Sequence, residues 1–470
     1  MNENKKFIYM VTAVFAVLFA MLVGYLVYFT VSKKSELSVN PYNRRMDHIE
    51  QDVIRGNIYD TNHILLATTK DGIRKYPEAS IYAHAVGYSQ RGKIGVEALA
   101  NTELLYPDYN FSSIIRNTFY GEKFHGRDVV LTLDQRYQKG IAEEMSGYKG
   151  AVIVLESNTG KIKAMYSNPS FDPNQIIDNW EYLSTDNENT ALLNRATSGL
   201  YPPGSIFKII TSIAYLQDSK LAQSHFEYEC QGKIHIKDYS VQCYNQKAHG
   251  KLKIEDAFAK SCNTYFIALK DKINTNDLKM IAEQLGFNKN LNFDMGGLHS
   301  KFQLTPTSPD FEKSLSYIGQ GKTLVTPMHM AMLVSCIAND GILMKPYIFD
   351  YSMSKSGKIK VKTLPHYEKS YIDEELSNKL KEMMIEVVDK GTATRLRRDD
   401  LIIGGKTGTA ENETDKAHSW FIGFAKDKDN NSSSISFAII VENGEEGAYA
   451  QKVAKRIINI YKDISNEDMN

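Results

Sequence analysis

Ile402-Ile-Gly-Gly-Lys-Thr-Gly-Thr-Ala410, followed by Ser419-Trp-Phe-Ile-Gly-Phe424 and Ile435-Ser-Phe-Ala-Ile-Ile-Val441, decides the fold of this chain. The runs are of strand length, rich in β-branched and aromatic residues, and separated by polar connections, so they predict three strands of an antiparallel meander. Far upstream the same texture occurs: Ala151-Val-Ile-Val-Leu155 reads as a buried strand, Asn158-Thr-Gly160 as a turn, and Lys161-Ile-Lys-Ala-Met-Tyr166 as the hairpin partner. Between the two blocks, helical spacing dominates from Ser205 to Gln217, Ile254 to Asp271, Pro327 to Ala338 and Asp373 to Val388. Helices lying between early and late strands predict an α+β layer fold in which sequence-distant strands share one antiparallel sheet sandwiched by helices.

Working outward, the larger domain is expected over 150–465. A smaller, strand-rich pedestal is expected over 33–149, with short alternating stretches such as Asp128-Val-Val-Leu-Thr-Leu133. Ser352 to Lys362, rich in Ser and Lys, reads as a solvated loop or hairpin tip. Residues 1–32 contain an uncharged apolar run from Phe7 to Val31, bracketed by Lys5-Lys6 and Lys33-Lys34. That run has enough rise to cross a hydrocarbon layer of about 30 Å, and no small-x-small cleavage site follows it, so an uncleaved single-pass anchor is expected. Lysines on both sides, with Arg44-Arg45 beyond, leave its orientation open.

The 470 residues carry 56 basic and 56 acidic side chains, so no net field gathers nucleic acid. Cys230, Cys243, Cys262 and Cys336 show neither CxxC nor Cys/His ligand spacing, and they are too few for a disulfide framework; a Cys230–Cys243 pair stays open. No metal site is expected.

Three short polar segments carry the chemistry. Tyr201-Pro-Pro-Gly-Ser-Ile-Phe-Lys208 opens a helix with Ser205 in its first turn, and Lys208 falls on the same face three residues later, among apolar neighbours. A lysine so buried loses proton affinity and can take the proton of the serine. Taken alone, the pair also suits an N-capping serine with a snorkelling lysine, and Ser146-Gly-Tyr-Lys149 and Ser352-Met-Ser-Lys355 share its form. Ser261-Cys-Asn263 is a polar break between apolar helical flanks, with Ser38-Val-Asn40 as a decoy. In Ile402–Ala410, Gly404, Gly405 and Gly408 strip side chains from a strand, which would let a peptide substrate add beside it. Lys406 would supply fixed positive charge there, and the Thr407 and Thr409 hydroxyls would bind a terminal carboxylate. Gly321-Lys322-Thr323 is no P-loop, because Ser316 stands where that motif needs glycine.

S-x-x-K, S-x-N and K-T-G in this order form the active-site set of penicillin-binding proteins and related β-lactamases. Arg55-Gly-Asn-Ile-Tyr-Asp60, Gly95-Val-Glu97, Gly150-Ala-Val-Ile-Val154, Ile318-Gly-Gln-Gly321, Val325-Thr-Pro327 and Ala338-Asn-Asp-Gly341 extend the likeness, so nearly the whole chain after the anchor resembles the class B penicillin-binding proteins. Thr61-Asn-His63 departs from the family's usual Arg-Asn-Gly. The resemblance is to compact members without C-terminal appended domains.

The resemblance implies a peptidoglycan D,D-transpeptidase, covalently inhibited by β-lactams, with its catalytic domain outside the cytoplasmic membrane. Ser205 would attack the penultimate D-Ala carbonyl of a D-Ala-D-Ala stem peptide, with Lys208 as general base. Ser261 would relay the proton to the leaving D-Ala, and Asn263 would orient the substrate amide. Lys406, Thr407, Gly408 and Thr409 would receive the carboxylate, while the backbone N–H groups of Ser205 and Thr409 would form the oxyanion hole. An amine of a second stem peptide would resolve the acyl-enzyme, with no metal or organic cofactor. The implied partner is a polytopic membrane glycosyltransferase of the shape, elongation, division and sporulation family. Alternatives are a D,D-carboxypeptidase, β-lactamase or β-lactam sensor of the same superfamily, and, in another class, a non-catalytic scaffold of a cell-wall synthase complex.

Overall fold

The computed structural model describes residues 3–32, 52–107, 111–237, 239–411, 416–429, 433–444 and 448–467. Lys33-Lys34, Arg44-Arg45 and Ser38-Val-Asn40 lie outside the described residues. At the N-terminal end, Glu3–Ser32 is one helix of 30 residues, about 45 Å of rise. Phe7, Phe15, Leu18, Phe19, Leu22 and Leu26 all stand exposed on it.

The central sheet has five antiparallel strands in the order Leu401–Ala410, His418–Asp427, Ile435–Val441, Gly150–Glu156, Ile162–Asn168. The expected sharing of one sheet by early and late strands is realised where Ile439 lies opposite Val152. Every residue of Ile435–Val441 is buried. An antiparallel strand without hydrophobic alternation needs cover on both faces, and helices supply it. Pro327–Ala338 and Glu374–Asp389 pack on the sheet as one group, and Ala448–Glu467 with Gln135–Glu144 as another.

Two expected helices are interrupted. Ser205 lies in a 3-10 turn, Gly204–Phe207, and the α-helix proper is Lys208–Gln217. The stretch expected as helical from Ile254 to Asp271 divides into Ile254–Ala259, Asn263–Ala268 and a 3-10 turn Leu269–Asp271. The break falls at Ser261, whose φ of 54° no helix accommodates.

The region before residue 150 holds short strands and helices about a buried ion triad: Glu97 receives Arg55 Nε at 2.6 Å and Arg74 Nε at 2.7 Å. Burial alone would raise the Glu97 pKa, but the two guanidiniums more than offset it and hold the carboxyl below its usual range. The Arg55–Asp60 and Gly95–Glu97 segments therefore meet in one network. Its six-stranded sheet is not built from that region alone. Phe349–Met353 pairs antiparallel with Asp128–Leu131, and Ile359–Lys362 adds outside it. Of the Ser-Lys-rich segment only 354–358 is the tip of this hairpin, since Ser352 is buried in its first strand and Ile359–Lys362 is its second, and a division of the sequence at 149/150 does not divide the sheet.

Candidate active site

The site begins with tight backbone contacts around the 3-10 turn. Gly204 has φ of 53°, donates its N–H to the Gly319 carbonyl at 2.8 Å, and lies so close to the Leu401–Ala410 strand that a Cβ would stand 2.4 Å from the Thr409 carbonyl oxygen. Gly319 closes the other side, where a Cβ would stand 2.3 Å from the Gly204 carbonyl. Glycine is thus required sterically as well as conformationally, and the turn that carries Ser205 is wedged against the strand that carries Thr409. Trp420 Nε1–H donates to the Pro202 carbonyl at 3.0 Å and fixes the approach to the turn.

Lys208 is fully buried. Its ammonium donates to the Ser261 carbonyl at 2.7 Å, to Ser261 Oγ at 3.2 Å and to Asn263 Oδ1 at 2.7 Å. Ser261 Oγ also accepts from Lys406 Nζ at 2.9 Å, and Lys406 donates to the Thr407 carbonyl at 3.2 Å. One hydroxyl thus bridges two buried amines. Burial pushes the Lys208 pKa down to about 8. Burial first, and then the Lys208 charge, hold Lys406 well below the ordinary lysine value.

Ser205, Ser261, Asn263, Thr407 and Thr409 border a groove of about 1140 Å³, and neither lysine lines it. The sequence-predicted residues converge, with two differences of role. Lys406 does not offer a fixed charge to the groove: its Nζ faces Ser261, and its surroundings disfavour the charged form. The glycines of its strand make room for packing within the protein itself. Gly404 and Gly405 make room for the rings of Phe424 and Phe421, and Gly408 lies against Ile206, Trp420 and the Pro203 carbonyl. Among the described residues Lys208 Nζ makes no hydrogen bond to Ser205 Oγ, whose place on the groove wall is set by the turn.

Other residues at the site carry no motif in the sequence. Thr392 Oγ1 and Thr407 Oγ1 are 2.6 Å apart, which fixes the Thr407 hydroxyl. Among the described residues, Lys247, Lys260, Lys390 and Arg395 border the groove with Glu411 as the one acid, a balance that favours an anionic ligand. Only the fold brings them there from separate loops. Cys230 and Cys243 are free and buried, their sulfurs 3.8 Å apart, so the pairing left open by their spacing is not made.

Residues 150–462 match the family described as penicillin binding protein transpeptidase domain. The peptidoglycan D,D-transpeptidase PbpA of Mycolicibacterium smegmatis is 29% identical over 459 residues, 90% of this chain and 92% of that protein. Stage V sporulation protein D of Bacillus subtilis is 27% identical over 446 residues, 89% of this chain and 67% of that protein. Among solved structures, penicillin-binding protein A from M. tuberculosis as a ceftriaxone acyl-enzyme complex superposes with a TM-score of 0.78 at 27% identity, covering 88% of this chain and 99% of that one.

Proposed function

The chain belongs to the penicillin-binding protein transpeptidase family, and on that premise we propose how its residues divide the work. The protein is a class B peptidoglycan D,D-transpeptidase, a serine acyltransferase that β-lactams acylate. Ser205 Oγ attacks the penultimate D-Ala carbonyl and forms an ester. The C–N bond to the terminal D-Ala breaks, and the Ser205 proton leaves with that amine. A second stem peptide's amine then attacks the ester, regenerates the hydroxyl and leaves the cross-link.

The single observation that carries these roles is the Ser261 hydroxyl shared by Lys208 and Lys406. A neutral Lys208 amine has two donors and one lone pair. The two short bonds, to the Ser261 carbonyl and Asn263 Oδ1, occupy both donors. The longer contact to Ser261 Oγ is the one released, and the lone pair becomes available for the Ser205 proton. Ser261 Oγ, already in contact with both amines, passes the proton on to the departing D-Ala, while Lys406 braces that hydroxyl. Thr407 and Thr409 take the substrate carboxylate, with the cations around the groove supplying the countercharge first expected of Lys406. The Ser205 and Thr409 backbone N–H groups face the oxyanion, a contact typically worth about 3 kcal/mol per donor.

The N-terminal helix serves as a single-pass anchor with the catalytic domain outside the membrane, on a pedestal of residues 33–149 below a catalytic domain of 150–465. A polytopic membrane glycosyltransferase that builds glycan strands is the partner, and co-purification from detergent tests that pairing. The nucleophile is tested by intact-mass spectrometry after penicillin treatment: the wild type gains one penicilloyl adduct and Ser205→Ala gains none. An unchanged adduct on Ser205→Ala refutes the assignment, and rapid loss of the adduct from the wild type would mark a β-lactamase instead.

A further inference from the structure

Beside the catalytic groove the fold gathers four side chains from four separate segments. Cys230 ends the Tyr228–Cys230 strand, Cys243 follows the Tyr239–Gln242 strand, His249 precedes Gly250–Leu252, and Cys262 is the middle residue of Ser261-Cys-Asn263. Their three sulfurs and one imidazole nitrogen all lie within 4.8 Å of one another. The Cys230–Cys243 and Cys243–Cys262 sulfur pairs are each separated by 3.8 Å, and Cys230 Sγ is 3.4 Å from His249 Nδ1. A tetrahedral zinc ion with Zn–S of about 2.3 Å and Zn–N of about 2.05 Å spaces its ligands by roughly 3.75 Å between sulfurs and roughly 3.5 Å between sulfur and nitrogen. A disulfide would instead bring two sulfurs to about 2.05 Å and strand the third.

We propose that Cys230, Cys243, Cys262 and His249 form a structural zinc site that clamps the Ser261–Asn263 turn. The ligands are held by backbone before any metal arrives. Cys230 pairs with Gly250 across two strands, the His249 N–H donates to the Cys230 carbonyl at 3.2 Å, and the Cys243 N–H donates to the Gly232 carbonyl at 2.9 Å. Outer donors suit thiolates rather than thiols. The Gly232 N–H points at Cys230 Sγ at 3.4 Å, and Thr264 Oγ1 lies 3.4 Å from Cys262 Sγ. Three soft thiolates and an imidazole select zinc among common divalent ions, and four protein ligands leave no open position for chemistry. Binding expels the thiol protons and fixes the three sulfurs.

The clamp has a direct route to the catalytic groups. Cys262 is flanked by Ser261, held at φ of 54°, and by Asn263, and both neighbours bond Lys208. Asn263 also donates from Nδ2 to the Gln242 carbonyl at 2.9 Å, next to the ligand Cys243. Pinning Cys243 and Cys262 to one ion therefore fixes the middle of the turn that positions the base and the strand end that Asn263 bonds.

The full-length protein, purified in detergent without chelator, is analysed for metal by mass spectrometry. About one zinc per chain is expected, falling tenfold or more in Cys230→Ser and His249→Ala at a fixed low free zinc concentration. Because those variants can misfold, the wild type is also stripped with a chelator under reducing conditions. Acylation by a fluorescent penicillin is expected to slow about tenfold or more while far-UV circular dichroism is retained, and to recover on adding zinc. Purified protein without zinc, whose reduced form also shows no thiolate-to-metal charge-transfer band on adding cobalt(II), overturns the site. Full acylation by metal-free, folded protein overturns the clamp. The metal count is independent of acylation, so its failure is distinguishable from a failure of the transpeptidase roles.

Discussion

Acylation of Ser205 should follow the deprotonation of one buried amine. Lys208 has to be neutral to accept the serine proton, and burial brings its pKa down to about 8. The sign follows directly: the protonated form is inactive as a base, so activity rises with pH and levels off above that pKa. At pH 7 about one molecule in eleven carries the neutral amine and at pH 6 about one in a hundred, so the acylation rate should climb roughly tenfold per pH unit below 8. An unperturbed lysine near 10.4 would leave only about one molecule in 2,500 competent at pH 7, and the rise would continue past pH 9. The measurement is stopped-flow acylation by a fluorescent penicillin from pH 5.5 to 9.5, with Lys208→Arg as the control that removes the titration. A rate independent of pH between 6 and 8, or one that falls as pH rises, would refute Lys208 as the base.

Ser261→Ala removes the oxygen shared by Lys208 Nζ and Lys406 Nζ; acylation should fall by about 10²–10⁴-fold while stability changes by only about 1–3 kcal/mol, read by penicillin labelling and urea unfolding. Gly204→Ala places a Cβ against the Thr409 carbonyl in a left-handed backbone; a displacement of about 1 Å there should cost on the order of 10²-fold in acylation, and unaltered labelling would show that the turn tolerates a side chain. Glu97→Ala leaves Arg55 and Arg74 buried without their carboxylate and should cost about 3–5 kcal/mol, seen as a lower Tm of the full-length protein.

Much of this was legible in the sequence because the patterns are local. The Ile435–Val441 run has one small polar residue, Ser436, and is buried throughout, and the Ser205, Ser261 and Lys406 segments announce themselves by polar residues in apolar surroundings. What stayed hidden depends on long-range placement. That Lys406 Nζ meets Ser261 Oγ depends on a turn 145 residues away in the sequence. The spacing of Cys230, Cys243, His249 and Cys262 fits no compact ligand motif, since three strands and a helix break bring them together. Gly404 and Gly405 invited a reading of close backbone approach, yet the rings that fill their space, Phe424 and Phe421, lie opposite or diagonal on the next strand. Sequence patterning supplies the face of a strand but not the size of its neighbour.

The hairpin Phe349–Met353 and Ile359–Lys362, joined edge-on to Asp128–Leu131, has a mechanical consequence. A flexible joint between the segments before and after residue 150 would have to rupture ladder hydrogen bonds, so the two turn together. Excising the chain at residue 150 would leave that hairpin with a raw edge, inviting self-association by strand pairing.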